Sequence, residues 1–149
     1  CGSGRSSDCN NGANYTGLRC CALKAVDASE DDFKVPSEAE RGMSCQRYDA
    51  KYGVFEACPS DRPCVYGTCG SGWFGNCGDD AWVSIICCTT PELTNLRNCE
   101  WTYGGYGADL TCTTGEVMTG RCGSGNDPDC RRESNNTNYY HAIRCCQYG

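Results

Sequence analysis

The chain has 149 residues, 17 of them cysteine, and a net charge of −6 from 13 Lys and Arg against 19 Asp and Glu. So acidic a chain lacks the clustered cations that phosphate backbones and anionic membrane surfaces require, which excludes nucleic acid and membrane as partners. Cysteine at this density marks a disulfide scaffold made in an oxidising compartment. With no C-x-x-C pair and a single histidine, the sequence offers no zinc knuckle, and no cofactor or metal is expected.

The chain opens on Cys1-Gly2-Ser3-Gly4, and the same four residues return at Cys69 and at Cys122. Each copy is followed by a second cysteine at the same offset: Cys9, Cys77 and Cys130. Each then runs through an apolar or aromatic stretch to an adjacent pair, Cys20-Cys21, Cys87-Cys88 and Cys145-Cys146. A pattern repeated in this way divides residues 1–149 into a single domain of three repeats: a truncated first repeat at 1–44, a second at 45–98 and a third at 99–149.

The first repeat begins at the motif itself and lacks the two leading strands of the others. A removed propeptide or a partner chain is expected to supply them, and the start at Cys1 without Met suggests a processed form. The linker 22–44 carries Glu30-Asp31-Asp32 and Glu38-Ala39-Glu40, whose spacing matches no calcium loop and reads as a solvated surface. In the second repeat, Cys45–Tyr48, Tyr52–Cys58 and Val65–Cys69 read as short strands, with a turn at Pro59-Ser60-Asp61. The third repeat follows the same plan around the turn Thr113-Thr114-Gly115. We expect about four strands per repeat and no helix, since no stretch has a helical period.

The constant offset predicts local bridges Cys1–Cys9, Cys69–Cys77 and Cys122–Cys130. The adjacent pairs Cys87, Cys88 and Cys145, Cys146 are expected to reach back to Cys45, Cys58, Cys99 and Cys112. Which member goes to which partner stays open. An odd total leaves Cys20, Cys21 and Cys64 without assigned partners, as free or intermolecular thiols.

The stretch Tyr52-Gly53-Val54-Phe55-Glu56-Ala57-Cys58-Pro59-Ser60 resembles the repeat opening of the vitelline membrane outer layer protein I family. Gly78-Asp79-Asp80-Ala81-Trp82-Val83-Ser84-Ile85-Ile86-Cys87 is similar to that family's repeat closing, and Trp101 to Gly107 is similar to its opening again. The resemblance implies an all-β fold of three Greek-key-like repeats around a pseudo-three-fold axis, a β-prism. It also implies a secreted, structural, carbohydrate-associated protein rather than an enzyme.

The one histidine, His141, occupies the place held in the second repeat by Trp82 and reads as a packed ring rather than a base. The carboxylates Asp79, Asp80, Asp127 and Asp129 sit beside Gly and Pro, where turn chemistry accounts for them. Aromatics in glycine-rich turns offer faces for stacking on sugar rings: Trp73, Phe74, Trp101 and Tyr103. The competing role is core filling, which the sequence favours for Trp101 and leaves open for Trp73-Phe74. Asn14-Tyr15-Thr16 and Asn135-Asn136-Thr137 are N-glycosylation acceptors. Together these features predict a secreted extracellular structural protein of a coat, matrix or fibre, assembling with copies of itself or related matrix proteins. The alternative is a carbohydrate-binding module or lectin with glycan partners.

Overall fold

The structure, a computed structural model, describes residues 44–69, 81–89, 93, 95–123 and 128–149. These residues are all β, with no helix, and form nine strands. β1 (Cys45–Ala50), β2 (Glu56–Ala57), β3 (Cys64–Cys69) and β4 (Val83–Cys88) belong to the second repeat. β5 (Arg97–Gly104), β6 (Glu116–Cys122), β7 (Cys130–Arg132), β8 (Thr137–Tyr139) and β9 (His141–Gln147) belong to the third, one more than expected. The stretch Tyr52–Cys58 is not a continuous strand. Gly53 at φ +70° breaks it with a turn, leaving only two residues to pair.

The strands form three open sheets among the described residues, ordered β1-β4-β3, β2-β6-β9-β5 and β7-β8. In the two larger sheets the last strand of the repeat lies at the centre, β4 between β1 and β3 and β9 between β5 and β6. A strand buried on both faces reads as a near-continuous apolar run rather than an alternation. β4 (Val-Ser-Ile-Ile-Cys-Cys) is buried along its whole length.

The registers of the two repeats correspond position by position. Gln46 stands opposite Cys87 as Glu100 stands opposite Cys145. Cys69 stands opposite Ser84 as Cys122 stands opposite Ala142. β3 and β6 both break register just before a glycine, at Val65/Gly67 and at Met118/Gly120, the mark of a β-bulge.

Disulfides staple this frame to its central strands. Cys45 is bonded to Cys88 and Cys58 to Cys87, and in the third repeat Cys99 is bonded to Cys146 and Cys112 to Cys145. In both described adjacent pairs, therefore, the first cysteine takes the inner partner, Cys58 or Cys112, and the second takes the one that opens the repeat, Cys45 or Cys99. Cys122 is bonded to Cys130, and Cys69 is also in a disulfide. Cys1, Cys9, Cys20, Cys21 and Cys77 lie outside the described residues. Cys64 is buried at the head of β3, at the position that Val117 holds in β6.

The apolar centres are small and built on cystine. One gathers Cys58, Ile85 and Cys87 beneath Tyr48 and Val65, and the other gathers Cys122, Cys130 and Ala142 beneath Phe55, Trp101, Tyr103 and Tyr139. Cross-links do here what a larger core does elsewhere, by limiting the freedom of the unfolded chain.

The two repeats are joined by an exchange. β2 leaves its own repeat and pairs antiparallel with β6 of the next, Glu56 opposite Arg121 and Ala57 opposite Gly120. The pairing continues through Cys58 N–H, which donates to the Thr119 carbonyl at 2.7 Å. Gly120 is what permits this approach: a Cβ there would lie 2.7 Å from the Glu56 carbonyl oxygen and 3.1 Å from Ala57 Cα. Asp129 adds a second tie, accepting the Gly53 N–H at 2.8 Å on Oδ2.

Candidate glycan-facing groove

The exchange also builds a groove. Along β5, Cys99, Trp101 and Tyr103 are half-buried while Asn98, Glu100 and Thr102 are exposed, the alternation of a strand with one face on a core. Phe55, carried across by β2, meets Trp101 edge-to-face at 4.9 Å and Tyr103 at 6.2 Å between ring centroids. Tyr103 meets Tyr139 at 5.2 Å, and the Arg132 guanidinium lies 5.3 Å above the Tyr103 ring. The Trp101 ring sits over Gly120, whose missing side chain leaves room for it.

Phe55, Trp101 and Tyr103 form the apolar wall of an open groove of about 630 Å³, rimmed by Glu100, Arg131, Arg132, Glu133 and Ser134. The rim is solvated. Arg131 and Glu133 approach to 3.6 Å with both side chains largely exposed, so the pair leaves both groups available to a ligand. An aromatic wall with a rim of donors and acceptors suits a pyranose, which has C–H faces and hydroxyl edges.

The structure brings Trp101 and Tyr103 together as neighbours in one wall. Each also packs on the cystine core, so the core-filling and groove-lining roles coincide. Trp73 and Phe74 lie outside the described residues, as do Asn14, Asp79, Asp80 and Asp127. Three participants escaped the sequence reading: Phe55, Tyr139 and Arg132. Phe55 arrives from the neighbouring repeat, which no local spacing reveals. Asp129, read as a turn residue, instead ties two repeats together through Gly53.

Two buried nitrogen-bearing side chains complete the description. His141 takes the place of Val83 rather than Trp82, since Ser84 and Ala142 are the matched residues opposite Cys69 and Cys122. It is 3% exposed, and its Nε2–H donates to the Ala108 carbonyl at 2.7 Å, so this nitrogen is committed to the backbone. Arg121 is 6% exposed and donates to Thr68 Oγ1 at 2.6 Å. Burial lowers its pKa to about 10, which keeps it charged at neutral pH. Thr68 and Arg121 hold the same position in their two strands, one residue before Cys69 and Cys122. Among the described residues, no three His, Cys, Asp or Glu side chains converge to hold a metal ion.

No family model, no curated protein and no solved structure matches this chain.

Proposed function

We propose that this is a secreted structural protein of an extracellular coat, matrix or fibre, assembling with copies of itself or with related matrix proteins. The observation that carries the reading is the pairing of β2 with β6, in which one unit completes the sheet of the next. Strand exchange within a chain uses the same unpaired N–H and C=O groups by which separate chains join. Among the described residues β3 is an edge strand, and it holds Gly67 at the bulge position where Gly120 admits β2. The disulfides, five of them between described residues, suit a material that resists proteolysis outside the cell, and the reading includes no catalytic step.

The finer architecture in this proposal is three such units about a pseudo-three-fold axis, the β-prism of the vitelline membrane outer layer protein I family. Its support is the identical register of two units and the contact between their equivalent residues Thr68 and Arg121. The test is mass under native, non-reducing conditions. A ladder of oligomers that collapses on reduction is the expected result; a monomer at every concentration rules out assembly.

A second reading, a carbohydrate-binding module or lectin, is favoured by the groove of Phe55, Trp101 and Tyr103. A glycan array separates the two. Selective binding that Trp101→Ala removes, while the fold persists, supports the lectin.

A further inference from the structure

The β7–β8 hairpin places a sugar acceptor beside the aromatic wall. Asn135, Asn136 and Thr137 are all exposed, the first two on the turn between these strands and Thr137 at the start of β8. The turn is ordered from within. Asn135 Oδ1 accepts the Thr137 N–H at 3.1 Å, and Thr137 Oγ1 donates to the Asn135 carbonyl at 3.3 Å. Arg131 donates across the hairpin to Asn136 Oδ1.

The direction of the Asn135 amide decides the matter. Its Nδ2, the atom that would carry a sugar, donates to the Tyr139 hydroxyl at 3.1 Å. Tyr139 is the first ring of a continuous row that runs through Tyr103 at 5.2 Å to Phe55 at 6.2 Å and on to Trp101 at 4.9 Å. The two residues before Asn135, Glu133 and Ser134, are themselves part of the groove rim. A sugar joined at Nδ2 therefore starts at one end of the aromatic row. An amide nitrogen has two hydrogens; substitution uses one and leaves the other for Tyr139.

We propose that Asn135 is N-glycosylated and that the first N-acetylglucosamine of its glycan lies against Tyr139 and leads the glycan along the groove. The donor class is a lipid-linked oligosaccharide pyrophosphate. Nδ2 attacks the anomeric carbon, the C1–O bond to the pyrophosphate breaks and a C1–N bond forms. The lipid pyrophosphate leaves, and the amide proton passes to a base of the transferase. The exposed hairpin gives the sugar solvent on its outer side, and the rings give its C–H face an apolar partner on the inner side. The groove's occupant is thus the chain's own glycan. The inference rests on the secreted reading, since the transferase and its lipid donor belong to the secretory route.

The experiment uses the full chain secreted from a eukaryotic host. Peptides are mapped by mass spectrometry before and after peptide N-glycosidase treatment. The Asn135 peptide is expected to carry the glycan and to convert to Asp on release, while Asn135→Gln and Thr137→Ala each abolish it. After trimming to a single N-acetylglucosamine, nuclear Overhauser contacts are expected from the acetyl methyl group to the Tyr139 and Tyr103 rings. Tyr139→Phe should keep these contacts. A secreted, disulfide-bonded protein with bare Asn135 overturns the inference and leaves secretion standing. A glycan that touches neither ring overturns the groove as its resting place. Retention in the cytosol with reduced thiols overturns both readings.

Discussion

The second and third units share a frame and differ in what they hang on it. Both place their last strand at the centre, bulge at Gly67 or Gly120, and bond their adjacent cysteines to the same two positions. Side chains at equivalent places diverge: Cys64 against Val117, Thr68 against Arg121, Tyr66 against Thr119. The central strand is buried throughout in the second unit and opens at Arg144 and Gln147 in the third. The difference teaches that cystines and one glycine per unit hold the fold, which frees the remaining positions to build a groove in the third unit.

The sharpest break is to remove matched cross-links. Cys58→Ser with Cys87→Ser and Cys112→Ser with Cys145→Ser open loops of similar size, 29 and 33 residues. Each pair is expected to lose about 3–4 kcal/mol in urea unfolding, and opening a short loop such as Cys122–Cys130 about 2–3 kcal/mol. A much larger loss in one unit than in the other would show that the shared register does not mean shared energetics. Next comes the exchange itself. Gly120→Ala forces a methyl group into the backbone of β2, and about 2–3 kcal/mol is expected to be lost. Gly105→Ala, where an added Cβ meets nothing within 4 Å, should stay within about 0.5 kcal/mol.

Much of this frame is legible in the sequence because it is periodic. The eight-residue spacing of Cys122 and Cys130 corresponds to a bond, and the alternation along Arg97–Gly104 puts Trp101 and Tyr103 on the covered face. What is not legible is non-local. Two residues, Glu56 and Ala57, have no pattern of their own, and their partner lies more than sixty positions away in β6. Phe55 therefore reads as part of a local strand when it belongs to the next unit's groove. Asp129 stands beside Pro128, so turn chemistry explains it fully until Gly53 is seen at its carboxylate.

That tie gives a smaller prediction. Asp129→Ala removes a charged acceptor from the Gly53 N–H between the units and is expected to cost about 1.5 kcal/mol. Asp129→Asn, which keeps an acceptor oxygen, should retain most of that stability. Thermal melts of the two variants check the order; equal losses would mean that the carboxylate acts through something other than this bond.

The smallest expected effect lies at Glu56, where the third unit has Leu110 at the matching distance before its cysteine. Partial burial, and then the nearby Asp49 carboxylate, raise the pKa of Glu56 above 4.5. The folded protein therefore holds this proton more tightly than the unfolded chain does. Its stability is greatest below the unfolded value, falls as pH rises from 4.5 through the raised folded value, and stays lower above it. An ionised Glu56 thus works against the docking of β2 at neutral pH. Glu56→Gln has nothing to ionise, so the variant should melt slightly higher than the wild type at pH 7. The difference should close below about pH 4, where both side chains are neutral. Parallel melts across this range decide it: a gap that is the same at both ends assigns the effect to side-chain shape, and a gap that opens with pH assigns it to charge.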